Sequence, residues 1–216
     1  MSRVRVHNLA MSLDGFVAGP DQSVDAPLGV GGEQVHEWVF ATRFGRSMIG
    51  QDGGTDGVDN GFLLHGVDGI GATIMGRNMF GPVRGAWPDE SWTGWWGPEP
   101  PYHHPVFVLT HHPRPPLVMA GGTTFTFVAD TPRNVLALAT DAAGGLDVRI
   151  GGGAATVGDF LRAGLVDYLH LAVAPVLLGT GEQLFSGDPE ALSGLTCTEI
   201  TSGDGVAHVV FERITA

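Results

Sequence analysis

The sequence predicts an α/β fold: a mixed, mainly parallel sheet flanked by helices, with antiparallel strands added towards the C-terminus. Three observations carry this expectation. Short apolar strands alternate with helical patterns along most of the chain, the cycle that builds parallel sheets. The stretch VRIGGGAATVGDFLRAG, Val148 to Gly164, reads as a buried strand that breaks into three glycines and then into an amphipathic helix. From Val166 onward β-prone runs follow one another without helices between them, as antiparallel strands do.

Val4 to Ala10 is the first strand, and Met11 to Gly19 reads as a strand end wrapped into a loop, with Asp14-Gly15 as its turn. Asp14 can be read as a turn-former or as a carboxylate facing a ligand. From Gly32 to Ser47, Val35, Trp38, Val39 and Thr42 recur at helical spacing, with Glu33 and Glu37 near the start, where negative charge is favoured. Ile49 to Gly61 is rich in glycine and aspartate and is expected to be an exposed loop. A short helix from Phe62 to Gly69 leads into the strand Ala72 to Met75, and Gly76-Arg77-Asn78 follows directly.

Gly81 to Pro105 holds Trp87, Trp92, Trp95 and Trp96 among six prolines, which excludes a regular helix or a central strand. It is expected to fold back as a lid or to cover a dimer surface. VFVLT, Val106 to Thr110, is a compact strand ending in His111-His112-Pro113, and TFTFV, Thr124 to Val128, is another. Thr131-Pro132 caps a helix over Arg133 to Ala143, which Gly144-Gly145 stops. Asp147 to Ile150 then enters the glycine turn. Val166 to Val176, Leu195 to Thr201 and Val206 to Ile214 are the later strands, with His170 and His208 expected to be structural.

Composition narrows the function. The 216 residues suit one domain, 1–216, and the formal charge of −12 is set against arginine alone, because no lysine occurs. Lysine Schiff-base chemistry is excluded, and the net field repels nucleic acid. The lone Cys197 permits no internal disulfide, paired histidines lack the partners of a metal site, and no apolar run spans a bilayer. MSRVRVHNLA does not read as a signal peptide, so a cytoplasmic protein is expected.

The triple glycine is the strongest chemical signal. Glycines there let a ligand reach bare backbone, and the helix behind them turns unpaired N–H groups outward, a seat for a phosphate. Arg77, just past a strand in a chain short of positive charge, can fork onto a phosphate or pair with a surface acid. Thr110 and His111 sit where a strand end offers hydrogen-bonding groups.

MSLDGFVAG, ATIMGRNMF, PVFVLTHHPR, GGTTFTFV, DVRIGGGAA and AGLVDYLHLAVAPVLLGTGEQLF together resemble the reductase domain of bifunctional riboflavin biosynthesis deaminase-reductase proteins. That family shares the dihydrofolate reductase fold, a three-layer sandwich. The resemblance implies an NADPH-dependent reductase, active on a C=N or C=O carbon of a small heterocyclic substrate, and a homodimer. It implies that Gly151, Gly152, Gly153, Ala154 and Ala155 hold the pyrophosphate, that Arg77 and Asn78 reach the adenosine phosphate, and that Gly76 is also cofactor-binding. Thr110, His111 and His112 match the segment beside the adenine ribose, and Ala10 and Val17 border the nicotinamide. Asp14 is the first candidate for a catalytic role. Glu33 or Glu37, with Trp38, lies on the helix that meets substrate in dihydrofolate reductases. The lysine that riboflavin-pathway reductases carry near the SLDG stretch is absent, with Phe16 following Asp14-Gly15, so the substrate is expected to lack a ribose phosphate. The deaminase zinc pattern is also absent. A catalytically silent nucleotide- or ligand-binding protein is the alternative.

Overall fold

Nearly every residue of β1 (Val4–Ser12) is buried on both faces, as befits a strand in the middle of a sheet covered on both sides. The computed structural model describes residues 2–81 and 85–214. Alternation along β1 breaks at Asn8, whose φ of 54° marks a bulge, so that Val6 and Leu9 both enter the same core. A turn at Asp14-Gly15 returns the chain into β2 (Phe16–Ala18).

The single helix expected over Gly32 to Ser47 is broken. A 3-10 turn at Gly32–His36 precedes α1 (Glu37–Ala41), and α2 (Arg43–Met48) starts afresh. Thr42 causes the break: it is extended, fully buried, and its hydroxyl caps α2 by accepting the Gly45 N–H while donating to the Val39 carbonyl. The loop expected to reach Gly61 stops early, because α3 (Val58–Val67) begins within it. Asp59 and Asn60 are buried there, the Asn60 carbonyl accepting the Phe44 N–H, so polar residues that read as loop formers are internal partners.

The parallel core is close to expectation. β3 (Ile70–Gly76), the short α4 (Arg77–Phe80), β4 (Pro105–Leu109), the two-residue β5 (Leu117–Val118), β6 (Thr124–Val128), α5 (Pro132–Ala142), β7 (Asp147–Ile150) and α6 (Ala154–Arg162) follow in order. Then come β8 (Tyr168–Ala174), which ends before Pro175, β9 (Glu182–Gln183), β10 (Thr196–Ser202) and β11 (Ala207–Glu212).

The nine-stranded sheet runs β10-β11-β8-β1-β7-β3-β4-β6-β5. The strands from β8 to β6 are parallel, while β11, β10 and β5 join antiparallel. β2 and β9 form a separate antiparallel pair that the sequence did not suggest. Val135 and Ala139 of α5 and Val157, Phe160 and Leu161 of α6 cover one face. On the other face α1 and α3 cover the β8 side through Trp38 and Leu63.

Trp87, Trp92 and Trp96 cover the rest of that second face, packed with Phe80, Phe125 and Phe127. The tryptophan-rich stretch thus folds back onto the sheet, where among the described residues only the short α4 otherwise covers β4 and β6; its residues 82–84 lie outside the described residues. Among the described residues no helix is long and apolar enough to cross a membrane.

Candidate cofactor and substrate site

β3 and β7 end side by side, next to the middle of β1. The Gly76 N–H donates to the Gly152 carbonyl at 2.7 Å and the Gly151 N–H to the Ile74 carbonyl at 2.7 Å, which draws the end of β3 against the glycine turn. A Cβ on Gly76 would lie 2.3 Å from the Thr156 hydroxyl oxygen, so no larger residue fits this contact. Gly152 has a φ of 128°, outside the usual range of L side chains, and the Gly152–Gly153 peptide is cis. α6 follows at once with no side-chain cap from Gly153, which leaves its first N–H groups open.

A cavity of about 420 Å³ opens over this turn. Its floor is Gly76, the three glycines and Ala154 to Thr156; β1 contributes Asn8, Leu9 and Ala10. Val17 and Ala18 of β2, Pro27, Leu28, His36 and Glu182 of β9 also line it, as do Asn78, Met79 and Trp95. Asn78 Nδ2 donates to Gln22 Oε1 at 2.7 Å, and both residues line the cavity. Two buried polar atoms of lining residues have no partner: Asn8 Oδ1 and Asn78 Oδ1. Burial holds His36 below the ordinary histidine pKa, partly offset by the Gly32 carbonyl, so its ring is neutral at pH 7.

Of the residues expected to contact a cofactor, Ala10, Val17, Gly76, Asn78, Gly151, Gly152, Gly153, Ala154 and Ala155 border this one cavity. Arg77, His111 and His112 do not. The Arg77 guanidinium lies 3.1 Å above the centre of the Trp87 ring and donates to the Gly85 carbonyl, while its Nε and second terminal nitrogen have no partner. Burial, and then the neighbouring Arg114, lowers its pKa. His111 and His112 line a second, open hollow of about 480 Å³ with Trp87, Asp89, Glu90 and Arg114. Thr110 is buried and its hydroxyl accepts the His112 N–H.

The expected substrate-facing residues are elsewhere. Asp14 accepts hydrogen bonds from the Ser12 hydroxyl at 2.5 Å and from the Leu178 and Gly179 N–H groups at 3.1 and 2.6 Å. Those bonds, the Ser12 hydroxyl first, lower its pKa, and it is not part of the cavity wall. Glu37 is exposed and Trp38 is buried against His208 in the core. His36, the residue just before Glu37, is the member of this segment that reaches the cavity. Neither it nor Gln22, Trp95 or Glu182 carries a local sequence signal, because the segments that present them are loops, a 3-10 turn and a two-residue strand. Among the described residues no group of three or more His, Cys, Asp or Glu side chains could hold a metal ion.

Comparison with solved structures gives the same architecture. A Shewanella sp. PV-4 protein assigned provisionally to riboflavin biosynthesis aligns over 100% of both chains with a TM-score of 0.62 and 23% identity. A pyrimidine reductase-like protein from Corynebacterium diphtheriae aligns over 100% of this chain and 93% of its own, with a TM-score of 0.55 and 15% identity. The Thermotoga maritima diaminohydroxyphosphoribosylaminopyrimidine deaminase/5-amino-6-(5-phosphoribosylamino)uracil reductase aligns over 99% of this chain but 57% of its own, at a TM-score of 0.52 and 14% identity. At these identities the likeness is one of fold. No curated protein matches the sequence. The sheet order and its antiparallel C-terminal strands match the dihydrofolate reductase-like topology. The sequence model of the RibD C-terminal domain matches residues 5–209, and the chain belongs to that family.

Proposed function

We propose that this protein is an NADPH-dependent reductase that acts on a C=N or C=O carbon of a small, heterocyclic compound. One observation carries the reading: the triple-glycine turn, the uncapped start of α6 and the side-chain-free Gly76 border a single cavity. Backbone donors of that kind suit a pyrophosphate in a protein of net charge −12, where few cations are available. Kinship with reductases of the dihydrofolate reductase and RibD superfamily points the same way.

In this reading Gly151, Gly152, Gly153, Ala154 and Ala155 hold the pyrophosphate through peptide N–H groups. Ala10 and Val17 border the nicotinamide, Gly76 admits the cofactor close to β3, and Asn78 supplies an amide. Arg77 takes the 2′-phosphate with its unpaired nitrogens, near Thr110, His111 and His112. The cofactor, when bound, supplies the hydride, and the protein supplies position and a water-poor wall. A cytoplasmic location and a homodimer complete the reading; sedimentation of the purified protein decides the second.

Titration with NADPH and NADH tests it. Trp95 lines the cavity, so NADPH is expected to quench tryptophan emission, and Arg77→Ala to weaken NADPH more than NADH. No saturable quenching by either nucleotide would overturn the reading, and an unchanged preference in Arg77→Ala would remove Arg77 from it. A second reading, a ligand-binding protein without turnover, is favoured by the Asp14 carboxylate, which is committed to three hydrogen bonds outside the cavity wall. Absence of NADPH consumption with pterins, pyrimidines, quinones and aldehydes, despite NADPH binding, would select it.

A further inference from the structure

We propose that Arg149, in the middle of the large sheet, is the donor of a small oxyanion-binding site outside the cofactor cavity. The proposal does not depend on the reductase reading, since Arg149 is not part of the cavity wall.

The register of the sheet places the residue. Arg149 of β7 stands opposite Arg5 of β1 on one side and Thr73 of β3 on the other, and Arg5 in turn faces Tyr168 of β8. Thr73 is level with Val106, which packs beneath the tryptophan-rich stretch, so the row lies on the second face. Two arginines are thus neighbours on adjacent strands, where like charges repel.

Only one of them is compensated. Arg5 is buried and donates to Asp147 Oδ2 at 3.1 Å, to the Asp68 and His65 carbonyls at 3.0 and 2.6 Å, and to His7 Nε2 at 2.7 Å. Among the described residues Arg149 makes no ion pair and no side-chain hydrogen bond. The residue is half-buried: its Nε is shielded from solvent without an acceptor, while its two terminal nitrogens stay accessible. They form an open fork, the geometry that takes two oxygens of one anion.

The surroundings add donors rather than counter-charge. His7 accepts from Arg5 at Nε2, so its proton is on Nδ1, and that buried N–H also lacks an acceptor. His104 Nε2 meets the Thr73 hydroxyl at 2.8 Å, and burial, then Arg149, lowers the pKa of this ring to about 4. Tyr102 lies against His104 with ring centres 6.0 Å apart, and burial pushes its phenol up, so it stays uncharged. Asp147, two residues before Arg149, already accepts from Arg5 and from the Arg3 N–H. A half-buried cation without a partner is unfavourable, and an oxyanion on the fork removes the imbalance. A carboxylate and a phosphate share this chemistry; chloride cannot span the fork.

The test is the melting temperature of the full-length protein at pH 7 in acetate, inorganic phosphate or chloride at equal ionic strength. Acetate or phosphate is expected to raise it by about 2–4 °C over chloride at saturation, and the larger rise tells a carboxylate site from a phosphate site. Arg149→Met should abolish the part of the rise that belongs to this site, and Arg149→Lys, which keeps the charge but not the fork, should weaken the anion about tenfold. In chloride Arg149→Met should melt no lower than the wild type, because it removes a charge that nothing in the fold pairs. Crystals soaked in selenate should show an anomalous peak within hydrogen-bond reach of the Arg149 terminal nitrogens. Equal rises in the wild type and Arg149→Met, or selenate peaks only elsewhere, would mean an adventitious ion only and overturn the proposal. A lower melting temperature of Arg149→Met in chloride would overturn it too, by showing that the fold itself compensates the guanidinium. So would loss of self-association in that variant, read by sedimentation, since a second copy would then fill the fork.

Discussion

His170 Nε2 and His208 Nδ1 meet at 2.9 Å between β8 and β11, and both rings are fully shielded from solvent. The contact is one link in a directed chain. The Asn8 N–H, at the bulge of β1, donates to His170 Nδ1, so the His170 proton lies on Nε2 and points at His208 Nδ1. His208 must then carry its proton on Nε2, which donates to Asp59 Oδ1 at 2.9 Å, while Asp59 Oδ2 accepts the Gly205 N–H. Phe62 stacks on both rings at 4.3 and 4.1 Å. Three separate elements are thereby tied to the strand that walls the cavity.

Breaking the acceptor end of this chain is expected to destabilise the fold. In Asp59→Asn the amide keeps one oxygen for His208 but turns its NH₂ towards the Gly205 N–H, two donors face to face in a buried site. A loss of about 1–3 kcal/mol follows, read as a lower midpoint in urea denaturation. A wild-type midpoint would mean that the Gly205 donor finds another acceptor.

Acidification should also destabilise. Burial lowers the pKa of His7 to about 2, of His170 to about 3 and of His104 to about 4, with Arg5 adding to the first, His208 to the second and Arg149 to the third. Each ring is neutral in the fold but takes up a proton near pH 6.5 when unfolded. Their stabilising contribution is therefore complete above about pH 6.5 and is lost as pH falls from there towards the folded values, on the order of a few kcal/mol by pH 5. Denaturation midpoints at pH 7 and pH 5 give the comparison; no difference would mean that these rings are protonated inside the fold.

Gly76→Ala is expected to cost about 1–3 kcal/mol, because its methyl would meet the Thr156 hydroxyl at the tightest point of the site. NADPH affinity should fall with it, since the same contact sets the glycine turn. The double variant Gly76→Ala/Thr156→Ala removes the obstructing oxygen and should regain part of both losses. An alanine at 76 with unaltered melting and affinity would show that the turn yields without consequence.

Asp14→Asn should lower the melting temperature while leaving NADPH affinity unchanged. The carboxylate fastens the first turn to the Leu178 and Gly179 backbone and does not line the cavity. A variant that melts normally but loses the cofactor would reverse this assignment and return Asp14 to the site.

The parallel core was legible because its signals are local. Thr124 to Val128 and Asp147 to Ile150 coincide with β6 and β7, and the Thr131-Pro132 cap marks the start of α5. The glycine turn was legible for the same reason, a strand, a glycine run and a helix in direct succession. Thr42, Asp59 and Asn60 were not, since each departs from its usual habit through a partner far away in sequence. Glu182 reaches the cavity through the pairing of β2 with β9, and His36 through a 3-10 turn, contacts no periodicity announces.

That pairing also has a consequence for how the protein comes into being. The Asp14 to Gly179 bond joins positions 165 apart, and Gly181 sits so close to Ala18 that a Cβ there would lie 2.1 Å from its carbonyl oxygen. A nascent polypeptide lacks this clasp until most of its length has left the ribosome, however early its first strands collapse. Closure of the cavity is thus deferred to the closing moments of biogenesis, and a fragment truncated before Glu182 would lack the strand that pairs with β2 beside it.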